Sequence, residues 1–358
     1  MDKKNLIPFL FCTMQMLGWS GVGAETWIDE VGRRVEVRPQ PMRIVSLAPN
    51  ITEILFALDL ADRVVGVSSY CNYPPEAMKK EKVGGYINPS LEKILSLKPD
   101  LVIGTADGDL KPFVHKMAAL GIPVYIVNPT HIEEVVRSIV HIGQLTSAVP
   151  SANRLRASME RRMQRVQEAV KGRPRPRVLH VLSFEPLMSS GKGSWVHDLI
   201  ERSGGQNVIE GLKARHPRIS MEEVIRKDPQ VILLTGMVLK DPLAEQRKWW
   251  ERWKEISAVR MGRVYHLEPD LILRPSPRIV EGLEAMARVC GYESLQALAD
   301  AAVPAGIRLA RPLNLPAPVG EHEALARLRD IAGQNRVFRS FIGQGYYDTL
   351  TPPVIQRN

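Results

Sequence analysis

The residues predict an α/β protein: two Rossmann-like lobes joined by one long helix, plus a poorly ordered C-terminal tail. Three observations carry this reading. A helix, turn and strand are spelled out twice, strands alternate with helices around each copy, and a charged helical stretch lies between the two halves. The copies are SLEKILSLKPDLVIG from Ser90 and SMEEVIRKDPQVILL from Ser220, 130 residues apart. Each opens with Ser, an N-cap residue, and places Glu in the first turn, where the helix dipole favours a negative charge. Each then reaches a proline that stops the helix and a run of branched apolar residues that reads as a buried strand. A repeat of this size suggests two similar lobes rather than one enlarged core.

The chain has 358 residues, 44% of them hydrophobic and 24% charged, which is ordinary globular composition and enough length for two domains. Residues 1–24 read as a signal peptide: Lys3 and Lys4, an apolar run over 6–17, and small residues at Val22-Gly23-Ala24. The run is too short to span a bilayer. Phe11 before Cys12 argues against a lipid-anchored start. The mature chain is therefore expected in the periplasm, beginning at Glu25 after cleavage following Ala24.

The N-terminal lobe, 25–150, opens with a hairpin over 27–37 with Gly32 at its turn. A strand follows at 43–47, then a helix at 50–58 capped by Asn50 with Glu53 three residues on. Strands are expected at 64–67, 101–103 and 124–127, and helices at 110–120 and 132–145. The connecting helix, 151–173, shows an apolar stripe of Leu155, Met159, Met163, Val166 and Val170 at helical spacing. Its span over 151–171 is about 30 Å, a strut that permits only modest hinge motion. In the C-terminal lobe, 174–290, strands are expected at 178–182, 231–234 and 264–267. Helices are expected at 195–203, around Trp249, Trp250 and Trp253, and at 278–289. Strands separated by helices of this length imply a parallel sheet in each lobe.

The net charge of +9 raises nucleic acid as a partner, but the excess is local. Nine basic residues face Glu160 and Glu168 between Arg154 and Arg177, on the polar side of the connecting helix, with no nucleic-acid-binding motif. That pattern fits a solvated helix face, and no nucleic-acid partner is expected. Gly191-Lys192-Gly193-Ser194 resembles a phosphate loop only in part, since Pro186 stands where the first Gly belongs and Gly193 where the hydroxyl belongs. The histidines form no pair three or four residues apart, so no helical metal site is expected. Cys71 and Cys290 lack zinc-ligand spacing, and whether they pair is left open by the sequence. No catalytic constellation is visible.

Aromatic and ion-pairing residues gather in loops that follow strands. Tyr70 follows Val67-Ser68-Ser69, Tyr86 follows Gly84-Gly85, and Asp270 and Arg274 precede the final helix of the lobe. Such loops are where open α/β sheets hold ligands, and tyrosine offers a flat apolar face with a polar tip. The same tyrosines would also serve simply to close the surface of a lobe.

The stretches RIVSLAPNITEILFAL, GVSSYCNYPPEA, KVGGYINPSLEKILSLKPDLVI and PDLILRPSPRIVEGLEAMA resemble the periplasmic substrate-binding proteins of ABC importers for cobalamin, haem and iron siderophores. The resemblance is greatest to the cobalamin-binding branch and covers about 27–289. It implies two α/β lobes on one long helix, a monomer that is not an enzyme, and no cofactor beyond the transported ligand. It places ligand contacts at Tyr70, Tyr86, Asp270 and Arg274, and makes Glu92 and Glu222 the carboxylates that dock on the permease. Cobalamin or a related corrinoid is the implied ligand, with haem or a ferric siderophore as the alternative. Aromatics found in some cobalamin binders are not matched at Thr105, Leu182 and His216. Ser203 replaces a cysteine that could pair with one matching Cys290, so that disulfide is not expected.

From Gly291 the chain changes character. GYESLQALADAAVPAGIRLARPLNLP and NRVFRSFIGQGYYDTLTPPVIQRN resemble the N-terminal part of the glycine decarboxylase P-protein, a pyridoxal-phosphate enzyme. Residues 291–358 contain no lysine, so this stretch cannot supply the amine to which that cofactor attaches. It reads as a fused or misassembled frame, and the glycine-cleavage activity it would suggest is the alternative from a different class. One helix is expected at 321–331. The Pro-rich and Gly-rich stretches at 305–320 and 336–358 carry no continuous apolar face and are expected to be mobile or loosely docked.

Overall fold

The computed structural model describes residues 23–106, 110–212, 214–236, 243–291 and 321–333. The signal-peptide reading for residues up to 22, and the expectations for 305–320 and 336–358, lie outside the described residues. The chain opens with an antiparallel hairpin, β1 (Glu25–Ile28) and β2 (Arg34–Val37), with Gly32 in its turn. The hairpin is fastened to the first lobe by Glu30, whose amide donates to the Ile126 carbonyl and whose carboxylate accepts from the Asn128 amide.

The first lobe follows as β3 (Ile44–Ser46), α1 (Pro49–Ala57), β4 (Val64–Val67), β5 (Glu81–Lys82), α2 (Leu91–Ser96), β6 (Leu101–Thr105), α3 (Lys111–Ala119) and β7 (Val124–Val127). Its five strands are parallel, in the order β5-β4-β3-β6-β7. Two helices then lead out, α4 (Ile132–Leu145) and the long α5 (Val149–Val170). The second lobe comprises β8 (Arg177–Val181), a small hairpin of β9 (Ser183–Phe184) and β10 (Leu187–Met188), α6 (Trp195–Arg202), β11 (Gln206–Asn207), α7 (Met221–Lys227), β12 (Val231–Leu234), α8 (Leu243–Trp250), α9 (Ser257–Arg260), β13 (Val264–His266), α10 (Pro269–Ile272) and α11 (Ile279–Cys290). Its sheet is parallel, in the order β11-β8-β12-β13. A last helix, α12 (Glu321–Gly333), belongs to a separate compact unit and includes the expected 321–331.

Both copies of the repeat form as expected. Ser90 Oγ accepts from the Lys93 amide and Ser220 Oγ from the Glu223 amide, so each serine starts its helix. The likeness goes deeper than the matched letters. At the end of α2 the Arg43 guanidinium donates to the Leu97 and Lys98 carbonyls, while Asp100 accepts from the amides of Met42 and Arg43. At the end of α7 the Arg177 guanidinium donates to the Lys227 and Asp228 carbonyls, while the Gln230 side chain accepts from the Arg177 amide. Lys98 and Asp228, at matching places, both turn through positive φ, at 47° and 42°. A cation against the last carbonyls of a helix satisfies groups that have no partner within it and favours its negative end.

Two expectations change. Asn50 does not cap α1: Ala48 holds that place, Pro49 supplies the first turn, and Asn50 is buried inside the helix. Proline at the first helical position needs no amide partner, so the start shifts upstream of the residue that looked like the cap. The strut runs from Val149 to Val170, two residues earlier than expected, again because a proline, Pro150, is accepted in the first turn.

The core is shared as well as repeated. Val45, Leu47, Ile94, Val102, Met117 and Ile126 pack one face of the first sheet, and Leu179, Ile219, Val224, Ile232, Leu234 and Trp250 one face of the second. The other faces of both sheets join a single apolar cluster through α1, α4, α5, α6 and α11, with Ile54, Ile139, Met159, Leu199, Leu233 and Leu283 among its buried members. The lobes have separate sheets, yet the helices between them bury their apolar stripes in one continuous core.

Candidate functional site

The C-terminal ends of β4 and β5 in one lobe, and the segment after β13 in the other, bring the expected residues close to one another. Ser69 donates its amide to the Gly84 carbonyl at 2.8 Å, which ties the loop of Tyr70 to that of Tyr86. Gly84 sits at φ +101°, a backbone conformation that residues with a Cβ rarely adopt. The two rings then meet edge to face, centroids 5.7 Å apart. Tyr70 remains 59% exposed, so the pair presents aromatic surface to solvent. Lys82 Nζ donates to the Cys71 and Ala77 carbonyls and holds the intervening loop, which carries Asn72 and Tyr73.

From the other lobe, Asp270 lies in α10 and Arg274 just beyond it, and the two form an ion pair at 2.8 Å. The short α10 lies close against α11 because Gly282 has no side chain: a Cβ there would meet the Leu271 carbonyl oxygen at 2.4 Å. Asn72 crosses to both members of the pair, donating to Asp270 at 3.0 Å and accepting from Arg274 at 2.6 Å. Tyr70 and Tyr86 thus occupy strand-end loops and are in direct ring contact, while Asp270, in α10, and Arg274, just beyond it, are joined to the first lobe through Asn72.

Sequence reasoning missed the residue at the root of this arrangement. Glu53, taken as a helix-start carboxylate, is 3% exposed and faces the second lobe. Its Oε1 accepts from Arg274 at 3.1 Å and Arg278 at 2.8 Å, and its Oε2 from Ser276 at 2.7 Å and Arg278 at 2.9 Å. The bond to Glu53 is the largest influence on the Arg278 guanidinium and raises its pKa above the usual arginine value. The face of Arg278 lies over the Tyr73 ring, 3.9 Å from its centroid, a cation–π contact. Glu53 and its donors stand more than two hundred positions apart, and no local pattern marks such a pairing.

At other points the lobes meet through Arg215, which donates to Asn128 at 3.0 Å, through Asp198, which accepts the Ile132 amide at 2.9 Å, and through an ion pair of Arg202 with Glu133. Glu92 and Glu222 sit at matching places on α2 and α7, both exposed and in neither case bonded to another described residue. A groove of about 1050 Å³ lies elsewhere, along α5 near Glu160, Arg173, Arg175 and Glu201, and includes none of the expected ligand contacts. Its charges are of both signs and it is wide open, so the aromatic cleft is the better candidate for a ligand. Cys71 and Cys290 are both free and buried. Cys71 contacts Thr52 and Ser68, and Ser203 Oγ lies 3.7 Å from the Cys290 sulfur, where burial pushes the thiol up to about 11.

Comparison with known proteins places this architecture. Residues 44–271 match the family described as periplasmic binding protein. A vitamin B12-binding protein of Vibrio cholerae is 31% identical over 251 residues, 70% of this chain and 88% of that protein. Among solved structures, the periplasmic vitamin B12 binding protein BtuF of Vibrio cholerae aligns with a TM-score of 0.64 at 29% identity, over 70% of this chain and 97% of that one. The periplasmic heme-binding protein RhuT from Roseiflexus sp. RS-1 aligns with a TM-score of 0.62 at 28% identity, over 73% of this chain and 99% of that one. Residues 279–358 match the glycine cleavage system P-protein family. That match begins inside the second lobe, because α11 buries Ile279, Leu283 and Met286 in the shared core.

Proposed function

This chain belongs to the periplasmic binding protein family, and we propose that it captures a corrinoid, with cobalamin the expected form, and passes it to the permease of an ABC importer. Proteins of this family bind a ligand for transport, so the chain is a substrate-binding protein and not an enzyme, and what it holds is cargo rather than a cofactor. The observation that carries the choice of ligand is the 31% identity, across most of both chains, with the vitamin B12-binding protein of Vibrio cholerae. The cleft supports it. A corrin ring is broad and flat with amides at its fringe, which suits the aromatic surface of Tyr70 and Tyr86 on one side and the hydrogen-bonding pair Asp270 and Arg274 on the other.

Haem is the second reading. It is favoured by the likeness to the heme-binding protein RhuT and by Thr105, Leu182 and His216 standing where aromatics of some cobalamin binders would be. Titration of the purified protein with cyanocobalamin and with haemin, followed by visible absorbance, separates the two. Saturable binding of cyanocobalamin is the expected result. Saturation by haemin alone would select the second reading, and binding of neither would remove both.

Glu92 and Glu222 are proposed as the permease contacts, since matching helices present both as exposed carboxylates with no partner among the described residues. Residues 1–24 are proposed as the export signal, with N-terminal sequencing of the exported chain expected to begin at Glu25. The protein is proposed to act as a monomer, and residues 291–358 to take no part in capture.

A further inference from the structure

One side of the candidate cleft, that of Asp270 and Arg274, depends on a loop that its own lobe holds only in part. Between α10 and α11, the Leu273 amide donates to the Pro269 carbonyl and the Ile279 amide to Ser276, which shapes each end of the segment. The side chains of Arg274, Ser276 and Arg278 instead converge on one carboxylate of the other lobe. Glu53 reaches them from α1, whose buried residues Ile51, Ile54 and Leu55 fix the helix in the core. Its two oxygens accept four hydrogen bonds, two of them from the fork of Arg278, a geometry that specifies direction as well as distance.

We propose that Glu53 is the positioning residue of the ligand cleft, holding the 269–278 loop at the spacing and angle from which Asp270 and Arg274 face Tyr70 and Tyr86. This deepens the proposed function and rests on its assignment of those four residues as ligand contacts. Arg274 is the link, because the same guanidinium meets Glu53 at its buried end and Asn72 and Asp270 toward the cleft. Removing the carboxylate leaves two cations in a nearly dry site without their common acceptor. The relief is for the loop to swing toward water, which takes Asp270 and Arg274 out of register while both sheets stay intact.

The test uses hydrogen exchange and ligand titration on the full chain, comparing the wild type with Glu53→Gln and Ser276→Ala. In Glu53→Gln, faster exchange is expected within 269–278 while the amides of β6, β8 and β12 keep their protection. Ser276→Ala removes one of four bonds, and a smaller change in the same segment is expected. If the variant loop occupies its binding position a tenth of the time, cyanocobalamin should bind about tenfold more weakly. A carboxylate with a merely stabilising role would raise exchange in both lobes together, and that result would overturn the proposal. Unchanged exchange in 269–278 would overturn it too, as would an unchanged affinity beside a loosened loop. If the wild type takes up neither cyanocobalamin nor haemin, the proposed ligand fails, while the exchange pattern still decides whether Glu53 positions the loop. If Glu53→Gln does not fold, Ser276→Ala decides alone, by whether its change is confined to that segment.

Discussion

The bond between the strut and the second lobe should be measurable, and its pH dependence identifies its origin. Arg162 on α5 donates to Glu284 on α11 through two nitrogens, at 2.8 and 2.7 Å, and each side chain is 28% exposed. That exposure lies between a surface pair, worth about 0.2–1 kcal/mol, and a fully buried one, whose disruption costs about 3–5 kcal/mol. A double-mutant cycle with Arg162→Met and Glu284→Gln should therefore give a coupling of about 1–2 kcal/mol at pH 7. Methionine preserves the packing of the arginine stem, and glutamine the shape of the carboxyl, so the cycle isolates the charge and its hydrogen bonds. The Arg162 guanidinium holds the Glu284 carboxyl below its ordinary value of 4.5. A group that ionises more readily in the folded state adds its full stability above its unfolded value. That contribution is lost as pH falls through the lower folded value. The coupling should stay constant from pH 7 to about 5, shrink below pH 4.5, and vanish once the folded carboxyl is protonated. Urea unfolding of the four proteins across this range is the assay. A coupling below about 0.3 kcal/mol at pH 7, or one unchanged at pH 3, would refute the account of a partly buried ionic bond.

Three further outcomes are expected. Glu92→Ala and Glu222→Ala should each leave ligand affinity unchanged and lower stability by no more than about 1 kcal/mol, the value of a helix-start carboxylate. Together they should abolish uptake, with unchanged transport by the double variant excluding the docking role. His180, fully buried between Ser190 and Thr235, has its pKa lowered to about 3 by burial. The unfolded chain takes up a proton below about pH 6.5 that the folded one refuses, so stability should fall on acidification between these values by up to about 1.4 kcal/mol per pH unit. His180→Gln should flatten that slope, as read from unfolding free energies at pH 6 and 4.5. A chain ending at Gly291 should bind cyanocobalamin as the full chain does, because Cys290 is the last member of the shared core among the described residues and all four proposed ligand contacts precede it; weaker binding would mean that residues beyond 291 contribute to capture.

Most of the architecture was legible in the residues, for reasons that differ between elements. The branched runs of β4, β7 and β12 and the apolar stripe of α4 mark their bounds without help from tertiary structure. The repeat was visible because cap, turn and strand each require particular residue types. The arginines that close its two helices were not, because Arg43 and Arg177 stand 134 residues apart while the serines stand 130 apart. Asp100 and Gln230 share only an acceptor oxygen, so the equivalence appears in hydrogen bonds and not in letters. The tyrosines and the Asp270–Arg274 pair could be picked out by chemistry and by position after strands. Glu53 and Asn72 could not, since each takes its meaning from partners in the other lobe. The shared core escaped notice because an apolar stripe shows that a helix is buried, never against which neighbour.

That shared core determines which piece of the molecule can be exchanged with a relative. A chimera cut at the boundary between sheets would place α4 and α5 from one parent against α6 and α11 from another, across side chains such as Ile139, Met159, Leu199 and Leu283 that pack in one cluster. Mismatched volumes there would leave cavities or clashes at the centre of the hybrid, and each deleted large side chain would cost about 2–5 kcal/mol. The transferable modules are smaller: strand-end loops outside the cluster, such as the one bearing Tyr86, can be grafted singly. Recombination among such proteins should therefore favour new cleft walls on an inherited helical middle over wholesale exchange of halves.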